Sequence, residues 1–168
     1  MTDKFCRTAG DTKDAIEKYT RTVYSIALSH TPTAADADDV FQETFLAYHR
    51  CGTAWTGEEH RKAWLIRTAV NISRRVCHCA KRHLTEAADS DRTDFPFETA
   101  EETEIMTAVK GLSEKYRTAV MLYYFEEMSV REIAAVLKTG ESTIRSRLSR
   151  ARDALRKSLE NMQGGSPF

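Results

Sequence analysis

The sequence predicts an all-α protein that consists of two small helical domains joined by a flexible acidic linker. Apolar residues recur at the spacing of amphipathic helices, and the sequence shows no strand-like alternation of apolar and polar residues. Glycine and proline are scarce, with seven and three among 168 residues. An acidic stretch, residues 85–104, separates two parts of the chain that each show these helical patterns.

The charges are arranged in blocks, although the 25 basic and 25 acidic residues cancel overall. Residues 61–84 include seven Lys or Arg and no Asp or Glu, and residues 129–160 include eight basic and four acidic side chains. Residues 85–104 instead contain eight acidic side chains and a single cation, Arg92. Blocks of this size indicate separate electrostatic partners for different parts of the chain.

Residues 36–50 have the pattern of an amphipathic helix with an unusual polar face. The apolar arc consists of Val40, Phe41, Thr44, Phe45 and Tyr48. The opposite arc places a leucine among polar and charged residues, namely Asp39, Gln42, Glu43, Leu46, His49 and Arg50. One interpretation is a solvated surface with one exposed leucine. The other is a docking face for a second protein, on which Asp39 and Glu43 select the partner.

A third helical pattern, roughly residues 61–81, combines an apolar arc with a basic one. The apolar arc consists of Leu65, Ala69, Ile72, Val76 and Cys79. The other side carries a tryptophan followed mainly by basic residues, namely Trp64, Arg67, Asn71, Arg74, Arg75, His78 and Arg82. A glycine-flanked loop just upstream, residues 51–57, contains Trp55. Arginines and aromatic rings in this arrangement suit partly single-stranded nucleic acid, although each tryptophan alone is also compatible with a place in the core.

The acidic stretch is also the predicted domain boundary. Residues 89–98 contain Pro96, three Asp, one Ser and one Thr, and no sustained apolar period begins before Ile105. We therefore expect an N-terminal domain of residues 1–88, a linker of residues 89–98 and a C-terminal domain of residues 99–168.

Residues 128–157 predict two helices joined by a tight turn. Ser129 and Glu132 have the spacing of a capping box at the start of the first helix. The apolar stripe of that helix consists of Ile133, Ala134, Val136 and Leu137. The helix is expected to break at residues 138–140, with Gly140 in a left-handed or capping conformation.

The second of these helices has two faces of different character. One is apolar and consists of Ile144, Leu148, Ala151 and Leu155. The other offers arginines and hydroxyls, namely Ser142, Arg145, Ser146, Ser149 and Arg150. Arginine can bind guanine O6 and N7 together, and serine can contact bases or phosphates in the major groove. With the capped helix before it, this face predicts a helix-turn-helix, whereas an isolated helix of this kind would be read as a solvated basic surface.

Three segments, in this order, resemble RNA polymerase sigma factors of the sigma-70 family, in the extracytoplasmic-function (ECF) group. DADDVFQETFLAYHR, residues 36–50, resembles the segment that docks on the polymerase clamp helices. AWLIRTAVNISRR, residues 63–75, resembles the segment that melts and reads the −10 element. Residues 112–152 resemble the domain that reads the −35 element, and the whole match runs from about residue 15 to residue 159.

The resemblance implies three sets of site residues and three partners. The residues implied for polymerase binding are Asp39, Gln42, Glu43 and Leu46. Those implied for the −10 element are Trp55, Trp64, Arg67, Asn71, Arg74 and Arg75. Those implied for the −35 element are Ser142, Arg145, Ser146, Ser149 and Arg150. The implied partners are core RNA polymerase, promoter DNA and an anti-sigma factor, with the linker along the polymerase's product channel.

Other classes of protein fit the sequence less well. It contains no phosphate loop, nucleophile motif or convergent carboxylate pair, so we expect neither an enzyme nor a small-molecule substrate. Cys77 and Cys79 would point about 160° apart on a helix. We therefore expect no metal, no cofactor and four free thiols, the alternative being a thiol or metal sensor.

The expected location is the cytoplasm, without membrane insertion. No apolar run approaches the roughly 20 residues that span a bilayer, and the N-terminus lacks a signal-peptide core. The alternative function is a stand-alone helix-turn-helix regulator that binds duplex DNA without polymerase. That alternative leaves the docking face and the basic stripe of the third helix unexplained.

Overall fold

A computed structural model describes residues 7–83 and 100–163, and every regular element in these ranges is a helix. The chain divides into two compact units, Met1–Thr93 and Asp94–Phe168. The prediction of an all-α fold is confirmed, while the predicted linker, residues 89–98, lies outside the described residues. Within the described ranges, no helix combines the length and the apolar character needed to cross a membrane.

Unit 1 is built from three helices that pack against one another: α1 (Ala9–His30), α2 (Ala34–Arg50) and α3 (Glu58–His83). The hydroxyls of Thr8 and Thr33 cap α1 and α2 by accepting hydrogen bonds from backbone amides in the first turns. The core contains side chains from all three helices, among them Val23, Ile26, Val40, Phe45, Tyr48, Leu65, Ile66 and Ala69.

The burial pattern confirms the predicted phases of α2 and α3. Leu46 is 50% exposed although the neighbouring Phe45 is 4% exposed. On α3, Leu65, Ala69 and Ile72 are buried. The side chain of Cys79 lies outside the described ones. Helix α3 begins three residues before the predicted start, where Glu58 and Glu59 lie in the first turn and interact favourably with the helix dipole.

Unit 2 consists of α4 (Ala100–Gly111), α5 (Glu114–Val120), α6 (Val130–Leu137) and α7 (Glu141–Gln163). A π-helical turn, Met121–Phe125, continues α5. It was not predicted from the sequence. Helix α7 packs against α4, α5 and α6. Its residues Ile144, Leu148 and Ala151 enter a core that also contains Met106, Val109, Leu112, Met121, Leu122, Ile133 and Val136.

The turn between α6 and α7 differs from the prediction in one respect. The capping box is confirmed, since the Ser129 hydroxyl accepts from the Glu132 amide and the Glu132 carboxylate accepts from the Ser129 amide. At the other end of α6, however, Lys138 is left-handed, with φ 51° and ψ 49°. Gly140 has no positive φ, and its carbonyl accepts from the Ile144 amide at the start of α7.

Of the two conformations expected for Gly140, the left-handed one is not adopted, whereas the capping one is, because Gly140 directly precedes α7 and its carbonyl accepts the first hydrogen bonds of that helix. The end of α6 explains why Lys138 is left-handed instead. The Thr139 amide donates to the Ala134 carbonyl at 2.9 Å, and the Lys138 amide donates to the Ala135 carbonyl at 3.4 Å. These two bonds form a Schellman motif, which requires the left-handed residue to follow the last helical residue directly. That position belongs to Lys138.

Candidate nucleic-acid interfaces and docking surface

The outward face of α7 is the first candidate interface. The structure exposes all five side chains predicted for the −35 element, namely Ser142, Arg145, Ser146, Ser149 and Arg150. Opposite them, Ile144, Leu148 and Ala151 are at most 2% exposed. One side of the helix thus anchors it in unit 2, and the other offers donors and cations to a ligand.

A cleft of about 350 Å³ lies beside this face. Two of its lining residues, Lys115 and Tyr116, come from α5, and the others are Ser142, Thr143, Ser146, Arg147 and Arg150 on α7. The lining therefore combines three cations with four hydroxyls and includes no carboxylate. Such a site favours an anion such as a backbone phosphate. Sequence reasoning missed Lys115 and Tyr116, because only packing brings α5 beside α7.

The pKa of Tyr116 is lowered by the positive charges that line the cleft. Its hydrogen bond with Arg150 lowers the pKa of the phenol, and the nearby charges of Lys115 and Arg147 act in the same direction. A phenol whose pKa falls reports a positive local potential. Arg150 is therefore linked to Tyr116 in the protein and lies at the junction of the cleft and the outward face.

Two other arginines of α7, Arg145 and Arg152, have partners within unit 2. The Arg145 guanidinium lies 2.8 Å from the Glu141 carboxylate, one turn earlier, and both side chains are largely exposed. Exposed pairs of this kind contribute only about 0.3–0.5 kcal/mol, so a ligand can replace Glu141. Arg152 donates from Nε to the Tyr124 hydroxyl at 2.9 Å. Arg152 is thus engaged by a neighbouring side chain of unit 2.

The basic stripe on α3 is the second candidate interface. Asn71, Arg74 and Arg75 are exposed, and Arg67 is half-buried. The two tryptophans predicted for the same site are also half-buried, and they meet in one aromatic cluster. The Trp55 ring lies parallel to the Tyr48 ring at 5.8 Å and lies 5.6 Å from the Trp64 ring, measured between centroids. The loop of residues 51–57 is thus folded back against the surface of unit 1.

One arginine of this basic block is committed to the protein interior. The Arg61 side chain is 8% exposed and donates to the Asp14 carboxylate at 2.9 Å, to Glu58 at 3.4 Å and to the Asp11 carbonyl at 3.2 Å. Its guanidinium carbon also lies 5.5 Å from the centre of the Tyr48 ring. Arg61 therefore stabilises the fold and leaves fewer cations on α3 for a nucleic acid than the sequence suggests.

The outward side of α2 is the candidate docking surface. The four predicted residues, Asp39, Gln42, Glu43 and Leu46, are all exposed there. The Glu43 carboxylate also accepts a hydrogen bond from Arg75 on α3 at 2.7 Å. The structure thus joins a residue predicted to bind polymerase to one predicted to bind DNA.

Cys51 and Cys77, the cysteines whose side chains the structure describes, are not in a disulfide. Cys51 and Cys77 are half-buried, and the Cys77 thiol donates to the His30 carbonyl at 2.7 Å. Among the described residues, no three side chains of His, Cys, Asp or Glu group together as metal ligands would. Cys6 and the side chain of Cys79 lie outside the described part of the chain.

Comparison with known proteins assigns the chain to a family. The model of sigma-70 region 2 matches residues 15–84, and the model of sigma-70, region 4 matches residues 102–155. The chain belongs to the sigma-70 family. The region 2 match contains α1 from residue 15 onward together with α2 and α3, and the region 4 match contains α4 from residue 102 onward, α5, α6 and α7 up to residue 155. Each candidate interface therefore lies in a recognised region.

Relatives of this sigma factor cover most of its length. It is 29% identical over 167 residues to the RNA polymerase sigma-H factor of Pseudomonas aeruginosa, covering 85% of this chain and 83% of the relative. It is 29% identical over 153 residues to the ECF RNA polymerase sigma factor SigM of Mycobacterium tuberculosis, covering 88% and 76%. The fold resembles that of the sigma factor RpoE from Bartonella quintana, solved in complex with the anti-sigma factor NepR. That likeness has a TM-score of 0.75 at 23% identity and covers 89% of this chain and 97% of the other.

These findings confirm the resemblance to ECF sigma factors. The chain is a promoter-directing sigma factor, and the findings do not support the alternative of a stand-alone regulator. The roles of the individual residues stay predictions.

Proposed function

We propose that the two units divide promoter recognition between them, with unit 1 at the −10 element and on the polymerase, and unit 2 at the −35 element. The observation that carries this proposal is the outward face of α7. There, exposed arginines and serines lie opposite the buried Ile144, Leu148 and Ala151 and beside a cleft lined by three cations.

In unit 2, bases and phosphates would be contacted by different residues. Arg145 and Ser149 are exposed on the outward face of α7 and would reach base edges in the major groove. Lys115, Tyr116 and Arg147 line the cleft and hold the adjoining phosphates, which position the helix but carry no sequence information. Arg150 belongs to both surfaces and takes either role.

In unit 1, α3 and the loop before it would engage the opened −10 element. Arg67, Arg74 and Arg75 follow the phosphates, and the Asn71 amide offers a donor and an acceptor to one base edge. Trp55, whose loop lies beside the N-terminal part of α3, supplies an aromatic surface for an unstacked base.

The partners are core RNA polymerase, promoter DNA and an anti-sigma factor. Exposed Leu46, ringed by Asp39, Gln42 and Glu43, is the apolar centre of the surface for polymerase. An anti-sigma partner is supported by the similar RpoE, which was solved with one. The chain acts in the cytoplasm and has no catalytic activity of its own, since the polymerase catalyses RNA synthesis.

The proposal is tested first at the docking surface, by Leu46→Asp. Because Leu46 is half exposed, this change should leave helicity and thermal melting nearly unchanged. Placing a charge at the centre of the interface should lower affinity for core polymerase at least about tenfold, which is roughly 1.4 kcal/mol. The matched control is Thr20→Asp, which adds the same charge at an exposed position on α1.

The readouts are pull-down of core polymerase and run-off transcription from a cognate promoter. Normal polymerase binding by a folded Leu46→Asp protein would refute the docking surface. Specific promoter binding by the wild-type chain without polymerase would refute the sigma-factor mode of action.

A further inference from the structure

Arg7, which lies just before α1, contacts three parts of unit 1. Its backbone amide donates to the carbonyl of His49, near the end of α2, at 3.0 Å. Its guanidinium donates to the carbonyl of Thr53 in the loop that precedes α3. The same guanidinium pairs with the Asp11 carboxylate on α1 at 3.2 Å, and the Arg7 side chain is only 12% exposed. Arg7 thus ties the loop to both helices.

The same side chain also contacts the aromatic residue of that loop. The guanidinium carbon of Arg7 lies 4.5 Å from the centre of the Trp55 ring and 4.6 Å from that of the Tyr48 ring. The Tyr48 ring is in turn fixed by its hydroxyl, which donates to the Asp11 carboxylate at 3.0 Å. Cation–π contacts strengthen when the cation is withdrawn from water. Arg7 therefore holds Trp55 against the ring of Tyr48, which is itself anchored by Asp11.

The loop has few other connections to the unit. Within residues 7–83, the bond from Arg7 to Thr53 is the one hydrogen bond that the structure describes between residues 52–56 and a part of the chain distant in sequence. The hydroxyls of Thr53 and Thr56 bond only locally, to Cys51 and His60. The position of the loop therefore depends on Arg7 and on the rings around Trp55.

We propose that Arg7 is a positioning residue for the −10 element, because it fixes the loop from which Trp55 meets the DNA. The inference rests on the proposed function, in which this loop contributes to −10 recognition. A loop that is ordered before DNA arrives loses less conformational freedom on binding, so its contact with a base is stronger and more selective. Arginine suits this role because its planar fork reaches Thr53 and Asp11 together while its guanidinium carbon lies within 4.6 Å of both ring centres.

The test uses the full chain with core polymerase and four variants. These are Arg7→Ala, Arg7→Lys, Trp55→Ala and the double variant with both alanines. The control is Arg21→Ala, which removes an exposed arginine from α1. Run-off transcription is measured on promoters that each differ at one −10 position, so that base preference is separated from overall activity.

Arg7→Ala should reduce discrimination at the positions that Trp55→Ala affects, by about three- to tenfold. The double variant should be no worse than Trp55→Ala alone, because Arg7 acts through Trp55. Arg7→Lys should lie between Arg7→Ala and the wild type, since lysine keeps the cation but loses the fork. Arg21→Ala should match the wild type.

A second measurement reports on the loop without DNA. In a Trp64→Phe background, Trp55 is the remaining tryptophan, and Arg7→Ala should increase its quenching by acrylamide in the free protein. Unchanged quenching would overturn the inference. So would a loss that is equal for all −10 sequences, because it would mean that Arg7 merely stabilises unit 1.

Failure of the proposed role of Arg7 and failure of the proposed role of the loop give different results. If Trp55→Ala changes −10 preference and Arg7→Ala does not, the role of Arg7 is refuted and the proposed function stands. If Trp55→Ala itself leaves −10 preference unchanged, the proposed role of the loop is refuted, and the inference with it.

Discussion

The ion pair between Glu141 and Arg145 allows the contribution of Arg145 at the −35 element to be tested from both sides. Arg145→Ala removes the guanidinium, whereas Glu141→Gln removes the carboxylate that holds it at 2.8 Å. If Arg145 reads a base, the first change should weaken recognition at one promoter position. Glu141→Gln should strengthen binding slightly, because Arg145 then gives up only a weaker contact, with a neutral side chain, when it binds DNA.

The size of each effect follows from the exposure of the pair. The two side chains are 64% and 45% exposed, so their interaction contributes about 0.3–0.5 kcal/mol. A bidentate contact between arginine and guanine discriminates by about 1–3 kcal/mol, which is roughly 5- to 150-fold. The free energy expected for the base contact is therefore larger than that of the ion pair. We expect about a tenfold or larger loss for Arg145→Ala at its base, and about a twofold gain for Glu141→Gln on promoters that keep this base.

The assay is polymerase-dependent run-off transcription on a set of promoters with every single substitution in the −35 element. The control is Arg156→Ala, since Arg156 is also exposed and also pairs with a carboxylate of its own helix, Asp153, at 3.3 Å. It lies about 16 Å farther along α7 at the standard helical rise. Any loss of transcription caused by Arg156→Ala should be the same for all −35 sequences.

Two results would refute the reasoning. A loss for Arg145→Ala that is the same for all −35 sequences would mean that Arg145 holds a phosphate. Base-specific losses for Arg147→Ala or Arg152→Ala, together with uniform losses for Arg145→Ala and Arg150→Ala, would mean that α7 meets the groove with a different side.

Three further predictions concern single residues. Asn71→Ala should change which −10 sequences are transcribed, and an equal loss at all of them in the same run-off assay would contradict a base-reading role. Lys138→Gly should raise the free energy of unfolding by about 1 kcal/mol in urea titration, because glycine adopts the left-handed conformation without strain, and no gain would contradict that explanation. The hydrogen bond from Tyr19 lowers the pKa of Glu58 below 4.5, so its contribution to stability is present at neutral pH and is lost as the pH falls through the lowered value. The stability difference between wild type and Glu58→Gln should therefore shrink below about pH 4.5, and a difference that stays constant would contradict this assignment.

Much of the fold could be predicted because it depends on local signals. Amphipathic periodicity placed the buried and exposed sides of α2, α3 and α7, and the capping box at Ser129 marked the start of α6. The turn after α6 was harder, since glycine at 140 is a stronger sequence signal than lysine at 138. Which residue becomes left-handed depends on where the last helical hydrogen bonds form.

The candidate sites were harder to predict from the sequence, because they depend on which helices pack against each other. Lys115 and Tyr116 join the −35 surface only through the packing of α5 beside α7. Arg61 resembles its basic neighbours in the sequence, yet three acidic residues surround it in unit 1. Arg7 precedes every helical pattern, and its contact with Trp55 joins residues 48 positions apart in the chain. No periodicity encodes such contacts.

The ion pair between Arg75 and Glu43 affects how strongly the affinity of this protein for DNA depends on salt concentration. A cation that neutralises a phosphate releases a condensed counterion, and each such release steepens the decline of affinity with ionic strength. Arg75 already has a carboxylate 2.7 Å away, and if it turns to a phosphate, Glu43 is left charged and collects a cation from solution. The cation released from the phosphate and the cation taken up by Glu43 therefore offset each other. The dependence on salt at the −10 element should therefore be shallower than the number of arginines on α3 suggests, and polymerase that covers Glu43 would remove the offset.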